Sequence, residues 1–427
     1  MTIGLDLSVI QTPHRMRGIG ATAIKFVNNL SSKVRAKHTY VIYLYADNQE
    51  SALEILDLEG MNYEIRTLNP ERKFNLKLPG RLRILNGILS NSYKILEIYK
   101  GDSRISDTSG LDSFIQFDQM RPVPRKKGLK TALILYDIIP YVMVSDYLWS
   151  YKTARHYQDS RKSAIRKDLH RRLYAYKTKA TAKRADKLIA ISQHTKDDFV
   201  KYLGFNRSRI TVVHLGIDTR KAPKASEKAP AFKHYLENSW GYFPEPITLS
   251  DKPFLLFVGG ADPRRRLNDL VAAFNNLRAQ GVDMRLVLVG DTMKGPHAIP
   301  TKNIREYLLS SSYLEDIVFL GFVTDEQKDW LYENTLAFVF PSVYEGFGLP
   351  VLEALHYGTD VITYKNSSIQ EVASDLPHYA KDASDIEDIV HQIITNPASK
   401  TSKQLAIEHA SHYTWQKAST SIIKVVS

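Results

Sequence analysis

The 427-residue chain contains no cysteine, which excludes disulfides, thiolate zinc sites and a cysteine nucleophile. The cytosol is the simplest compartment for such a chain. No apolar run approaches the eighteen or so residues of a spanning helix. The first residues, Met1-Thr-Ile-Gly-Leu-Asp, lack the basic and apolar stretches of a secretory signal, and Asp6 interrupts any apolar run there. A meeting with a membrane is therefore expected from one side only. No two aspartates are separated by a single residue, and none of the 13 histidines forms a His-x-x-x-His pair beside a glutamate. Neither an Asp-x-Asp metal clamp nor a metalloprotease site is expected.

What is present is globular. Hydrophobic residues make up 43% and charged residues 24%, which rules out a mostly disordered chain, a collagen or a coiled-coil rod. The length admits two domains of ordinary size or one large one. Lys and Arg number 58 against 46 Asp and Glu, a formal charge of +12, which favours an anionic partner: phosphate, nucleic acid or an acidic bilayer surface.

The apolar runs alternate with helical or loop stretches. Ile3–Val9 reads as a buried strand, followed by a loop ending Arg17-Gly18-Ile19-Gly20 and a helix from Ala21 to Leu30. Tyr40–Tyr45, Thr131–Tyr136 and Lys187–Ile191 are further strands. Lys221–Pro230 has linker-like or surface-insertion composition. A second set follows: strands at Phe254–Val258, Met284–Val289, Ile317–Leu320, Ala337–Pro341 and Val361–Tyr364, with helices at Leu267–Gln280, Thr324–Glu333 and Gly348–Tyr357. Two such sets predict an α/β chain of two Rossmann-like domains, with ligands outside the carboxyl ends of the strands.

The densest chemical signal is Pro341-Ser-Val-Tyr-Glu345-Gly346-Phe347-Gly348-Leu349-Pro350-Val-Leu-Glu353. A strand passing through a glycine turn into a helix aims free N–H groups and the positive helix end into one loop, which suits a diphosphate. A carboxylate accepts from two vicinal hydroxyls, as on a sugar or a ribose. Taken alone, the pattern also fits a glycine-softened corner with two solvated glutamates. Arg264-Arg265-Arg266 places positive charge at a helix start, against the macrodipole, a conflict that a bound anion would relieve.

Together these segments resemble the family 4 retaining glycosyltransferases. The resemblance rests on Phe338 to Leu355, with its two glutamates, on Arg17-Gly-Ile-Gly, Tyr136-Asp-Ile-Ile-Pro140, Ala190-Ile-Ser-Gln-His-Thr195 and Val258-Gly-Gly-Ala-Asp-Pro-Arg-Arg265, and on Tyr413-Thr-Trp415. It implies a GT-B architecture, two Rossmann-like domains facing a cleft: residues 1–215 for the acceptor, 216–409 for the nucleotide-sugar, and a last helix, 410–427, crossing back to the first domain. It also implies roles. Glu345 would contact hydroxyls of the transferred sugar and Glu353 the ribose; Gly346, Phe347, Gly348 and Leu349 would offer N–H groups to sugar and diphosphate. Arg265 stands where relatives carry a phosphate-binding lysine. Gly260 stands where many have an arginine, leaving Arg264 or Arg266 to supply the second cation.

Gly18 and Gly20 resemble the family's N-terminal glycine loop against the donor. Tyr136-Asp137 replaces a His-Asp pair; Asp137 would order the donor side of the cleft or form a turn. Ser192 and Thr195 read as caps of a helix beginning near Lys196, with Asp198 completing a box. The resemblance implies a retaining, metal-independent hexosyltransferase using a GDP- or UDP-hexose, with no cofactor, no metal and no protein nucleophile. The alternative is a non-catalytic glycosyltransferase-like binding or accessory subunit. No helix-turn-helix, RNA-binding or zinc pattern supports specific nucleic-acid binding.

Two stretches concern the acceptor. Tyr151–Lys187 holds thirteen Lys or Arg among its thirty-seven residues, with three aspartates and interleaved tyrosines. Lys73–Lys100 mixes Leu and Ile at helical spacing with Lys and Arg. Both faces are expected to hold a peripheral enzyme on an anionic inner leaflet, where a glycan or polyprenyl-linked acceptor of cell-surface polysaccharide synthesis would reside; the Lys73–Lys100 pattern fits equally a helix whose leucines belong to the core and whose charges face water.

Overall fold

The computed structural model describes all residues except 17, 72–95, 149–150, 157–159, 219–229, 239–240 and 300. Arg17, most of the Lys73–Lys100 stretch and residues 221–229 of the linker-like segment lie outside the described residues. The chain divides into two units, Met1–Gly216 with Trp415–Ser427, and Ile217–Thr414.

The first unit is built on seven strands: β1 (Thr2–Asp6), β2 (Thr39–Tyr45), β3 (Asn62–Leu68), β4 (Ser113–Gln116), β5 (Lys130–Leu135), β6 (Lys187–Ala190) and β7 (Ile210–Val212). They lie in the order β3-β2-β1-β4-β5-β6-β7, every pair parallel. Parallel central strands are covered on both faces, so they read as continuous apolar runs. The order turns between β1 and β4, which makes the gap beyond Asp6 and Gln116 the switch point of this sheet.

Two elements near that point differ from expectation. β1 ends at Asp6 rather than Val9, because the Asp6 carboxylate accepts from the Ser8 backbone N–H at 3.0 Å and turns the chain into a 3₁₀ turn at Ser8–Gln11. Such a local bond competes with the strand ladder. Helix α1 (Gly18–Asn28) starts three residues before Ala21, so Gly18 and Gly20 are helical. At Gly20 a Cβ would lie 2.5 Å from the His14 carbonyl oxygen; the preceding turn packs directly on the helix. A Cβ at Gly18 would meet nothing within 4 Å.

The basic stretch forms a short helix at Tyr151–His156 and the long α2 (Arg161–Arg184), capped by Ser160. Helix α3 (Gln193–Leu203) follows β6. The last helix of the chain (Trp415–Val426) packs on α1, β4, β5 and β6.

The second unit opens with an antiparallel ribbon, β8 (Phe232–Asn238) and β9 (Gly241–Ile247). Its sheet holds β10 (Phe254–Val258), β11 (Arg285–Val289), β12 (Ile317–Gly321), β13 (Ala337–Phe340), β14 (Val361–Tyr364) and β15 (His378–Ala380), in the order β12-β11-β10-β13-β14-β15. All are parallel. Here the switch point lies between β10 and β13. Helix α4 (Leu267–Ala279) follows β10, α5 (Asp325–Asn334) follows β12 and α6 (Leu349–His356) follows β13.

Candidate active site

The loops leaving β10 and β13 meet at the switch point of the second sheet. After β10 the chain runs Gly259-Gly260 into a 3₁₀ turn, Pro263–Arg265, capped by the Asp262 side chain. After β13, Pro341 to Gly348 leads into α6, with Gly348 at φ +100° as its cap and Pro350 in the first turn. That positive φ requires a glycine-like backbone. Among the described residues the N–H groups of Gly348 and Leu349 donate to no acceptor, as expected for a helix start.

Glu345 lies between two arginines. Its Oε2 accepts from Arg264 Nη2 at 3.2 Å, and its Oε1 from Arg265 Nε at 3.3 Å and from Ser342 Oγ at 3.0 Å. Its backbone is fixed too: the N–H donates to Ser367 Oγ at 2.9 Å and the carbonyl accepts from Ser368 Oγ at 2.9 Å. Arg264 also donates from Nε to the Tyr344 carbonyl at 3.0 Å and pairs with Asp262 at 2.7 Å. Arg265 lies over the Phe340 ring, 5.5 Å from its centroid, and donates from Nη1 to the Gly260 carbonyl at 3.3 Å. Among the described residues its Nη2 has no partner, and its side chain is 18% exposed. An arginine fork with free donors on a reachable face matches a phosphate.

Arg265 owes its position to a glycine outside the sequence expectation. At Gly259, φ +154°, a Cβ would lie 2.4 Å from Arg265 Nη1. Gly290 in turn gives way to Gly259, whose carbonyl oxygen would be 2.2 Å from a Cβ there.

Arg266 stands apart from this group. At φ +46° its side chain turns to Asp269, Nε to Oδ2 at 3.0 Å, and it is half exposed. Asp269 and Asp262 thus supply negative charge at this helix start. Arg264, and not Arg266, therefore faces Glu345 beside Arg265.

Glu353 sits on α6, held by two groups of α5: Oε1 accepts from Lys328 Nζ and Oε2 from the Tyr332 hydroxyl, each at 3.1 Å. Burial works against the charge of Lys328, but Glu353 with Asp325 and Asp329 outweighs it and raises the ammonium pKa. Burial first, then Glu353, pushes the Tyr332 phenol well above its ordinary range. Lys328 and Tyr332 are four apart, one face of a helix; that spacing was a readable signal. Phe347 is buried and meets Tyr413 edge-on at 6.2 Å. Ser342, Ser367 and Ser368 carry no sequence signal of their own; Ser342 lies inside the signature, whereas the two others come from beyond β14.

The remaining candidates, Gly18, Gly20 and Asp137, belong to the first unit. Asp137 accepts from the Ile139 N–H at 3.0 Å, which makes it a turn residue after β5. Tyr136 is buried, and its carbonyl accepts from Thr195 Oγ1 at 2.9 Å. Burial lifts its phenol far above the ordinary range. Ser192 caps α3, accepting from the Thr195 N–H at 2.9 Å. The helix begins at Gln193, so Asp198 falls in its second turn and completes no box. Burial, then Asp197 and Asp137, outweigh Lys201 and raise the Asp198 carboxyl to about 7.

Among the described residues no three His, Asp or Glu side chains gather as a metal site, and no helix is long and apolar enough to cross a membrane.

Two doubly wound units, the second with an arginine–carboxylate cluster at its switch point, place the chain among the GT-B glycosyltransferases by fold. It belongs to the family 4 GT-B glycosyltransferases: residues 131–221 match the family described as Glycosyltransferase Family 4 and residues 242–409 that described as Glycosyl transferases group 1. It is similar to the O-antigen chain mannosyltransferase B of Escherichia coli, 24% identical over 55% of this chain and 59% of that one. It is also similar to the serotype-specific mannosyltransferase WbdA of the same organism, 25% identical over 67% of this chain but 32% of that one. The matches thus span from 32% to 59% of these relatives' own length. Among solved structures, the Anabaena protein HepE with UDP and glucose has a TM-score of 0.59 at 15% identity, covering 99% of this chain and 98% of that one. WaaG, a glycosyltransferase involved in lipopolysaccharide biosynthesis, has 0.58 at 13%, covering both chains fully. These two likenesses concern the fold.

Proposed function

We propose that this chain is a retaining hexosyltransferase that moves a sugar, mannose first among the candidates, from a GDP- or UDP-sugar to a lipid-linked glycan of a cell-surface polysaccharide, at the cytoplasmic face of the membrane. The observation that carries the reading is Glu345 held between Arg264 and Arg265 at the switch point, beside the unpaired N–H groups of Gly348 and Leu349. The similarity to an O-antigen chain mannosyltransferase and to a serotype-specific mannosyltransferase supports the sugar and the pathway class.

In this reading the bond from the sugar's anomeric carbon to the diphosphate breaks, and the bond to the acceptor oxygen forms on the same face. The acceptor proton passes to a donor phosphate oxygen. Arg265, the Gly348 and Leu349 amides and the α6 terminus meet the charge on the leaving diphosphate, while Glu345 accepts from sugar hydroxyls. Glu353, exposed on its open side, accepts from the ribose. Glu345 leaves the arginines partly neutralised before the donor arrives; the diphosphate then competes for the same guanidinium donors.

The test is a thermal-shift and hydrolysis screen against GDP-, UDP- and dTDP-sugars and their free diphosphates. A donor at a hundred times its Kd adds about 2.7 kcal/mol of stability. One base and one sugar are expected to stand out; a chain that none of them shifts, with or without vesicles and acceptor, is not this enzyme.

A further inference from the structure

Helix α2 is packed inside out. Its buried side chains are small or hydroxylic, Ala164, Thr178, Thr181 and Ala182, whereas Ile165 is 59% exposed, Leu169 53% and Tyr176 42%. Positions i, i+4 and i+11 share one face of a helix. Ile165 and Leu169 are turned outward here while alanine, threonine and the partly buried Tyr174 occupy the core side, the reverse of what burial of aliphatic area favours. Single exposed apolar residues are ordinary, but a stripe is not. Tyr99, also exposed, extends it: its hydroxyl lies 2.5 Å from that of Tyr176, and Arg184 stacks on its ring at 4.7 Å.

Cations surround the stripe. Ten of the 24 residues of α2 are Lys or Arg and one, Asp168, is acidic. Arg161, Lys162, Arg166 and Arg172 are exposed along the same face. Arg166, Lys167 and His170 line, with Asp146, Tyr147 and Leu148, a hollow of about 360 Å³. A nucleic acid would match the charge but has nothing to cover Ile165 and Leu169; an anionic bilayer offers phosphates to the cations and acyl chains to the stripe.

We infer that the exposed face of α2 is the surface by which the chain docks on an anionic bilayer, with Ile165 and Leu169 entering the headgroup–acyl boundary. The inference rests on the reading of a lipid-linked acceptor and names the residues that bring the enzyme to it. On this face apolar side chains stand among the cations.

The test is flotation of the full chain with vesicles of phosphatidylcholine alone or mixed with phosphatidylglycerol, beside donor thermal shift on the same samples. Binding to the anionic vesicles only, weakened by salt, is expected. Replacing Arg161, Lys162 and Arg166 with Gln should weaken partitioning about a hundredfold at low salt. Ile165→Ser with Leu169→Ser should weaken it about tenfold or more at any salt, leave DNA retention unchanged and leave the donor shift intact. As a second readout, Ile165→Trp should blue-shift its fluorescence on anionic vesicles. Partitioning of the double variant like the parent, or no blue shift, overturns the inference. So does a dimer that the double variant dissociates without any vesicle binding, which would assign the face to a second copy. Vesicle binding without a donor shift would leave the docking surface standing and remove the transferase reading instead.

Discussion

Each sheet carries an arginine–carboxylate cluster at its switch point, and the two differ in what solvent can reach. In the first unit Arg104 is 2% exposed and Asp6 1%. Arg104 donates to Asp6 Oδ2 at 2.7 Å, to Asp102 through Nε and Nη2, to Ser8 Oγ at 2.8 Å and to the Tyr45 hydroxyl at 3.1 Å. Gln116, at the end of β4, adds a bond to Asp6 at 2.9 Å. All three guanidinium nitrogens are engaged, and the cluster ties the ends of β1, β2 and β4 together. In the second unit Arg265 keeps Nη2 without a partner among the described residues and stays reachable, while Glu345 is 10% exposed at its side chain. The same chemistry is saturated in one sheet and left with an open donor in the other. Saturation of the hydrogen-bond donors, not the presence of charge, separates the two.

The largest effect should come from opening the closed cluster. Arg104→Ala would leave Asp6 and Asp102 buried without their cation and should cost about 3–5 kcal/mol of unfolding stability, read by denaturant titration. Burial raises the Asp6 carboxyl, but Arg104 and the bonds from Ser8 and Gln116 outweigh it and hold its pKa below the ordinary value. The stabilisation from this group is therefore fully present above pH about 4 and lost as pH falls through the lowered folded pKa. Arg104→Ala should flatten that acid limb. A variant as stable as the parent would mean the brace is dispensable.

In the open cluster the fold should survive and the chemistry should not. Glu345→Ala should reduce transfer about a hundredfold or more, the loss of charged hydrogen bonds to the sugar, with little change in the unfolding transition. Full turnover by this variant would remove the role given to Glu345. Arg265→Ala should come next, weakening free diphosphate binding about ten- to a hundredfold, with Arg265→Lys recovering charge but not the fork. Calorimetry with the nucleoside diphosphate measures this directly, and equal affinity of all three proteins would break the comparison between the clusters.

The same contrast explains what was legible in the sequence. The central strands β2, β5, β10 and β14 are apolar runs because both sheet faces are covered, and they are read at their ends to within a residue. Strand β3, Asn62–Leu68, is an edge strand with an exposed, polar pattern, β4 begins at Ser113 and ends at Gln116, and β15 is three residues from His378; none offers an apolar run to read. Pro244 and Pro246 argue against β9, yet they are two apart and so share one edge of the ribbon, where a missing N–H is tolerated. In the site, Glu345, Arg264, Arg265 and Glu353 lie in motifs local enough to be seen. The partners of Glu345 at Ser367 and Ser368, and the room that Gly290 makes for Gly259, depend on loops that only the sheet brings together. The Arg104 cluster joins residues up to 98 positions apart and has no motif at all.

The smallest effect concerns the two glycines at the start of α1. Gly20→Ala should destabilise the chain by about 1–3 kcal/mol, since the new methyl group meets the backbone of His14 and Arg15 and overpacking of that kind forces the turn to shift. Gly18→Ala has open space and should change stability by at most about 0.5 kcal/mol, because alanine gains helix propensity at a frayed first position. The two glycines of one motif are thus separable by unfolding midpoint alone. If Gly18→Ala nevertheless raises the KM for donor or acceptor while leaving the midpoint in place, the absence of a side chain there serves a ligand's approach. Unchanged kinetics would make Gly18 a helix start and nothing more, and would leave the second sheet's cluster as the part of the chain whose chemistry is kept open for a substrate.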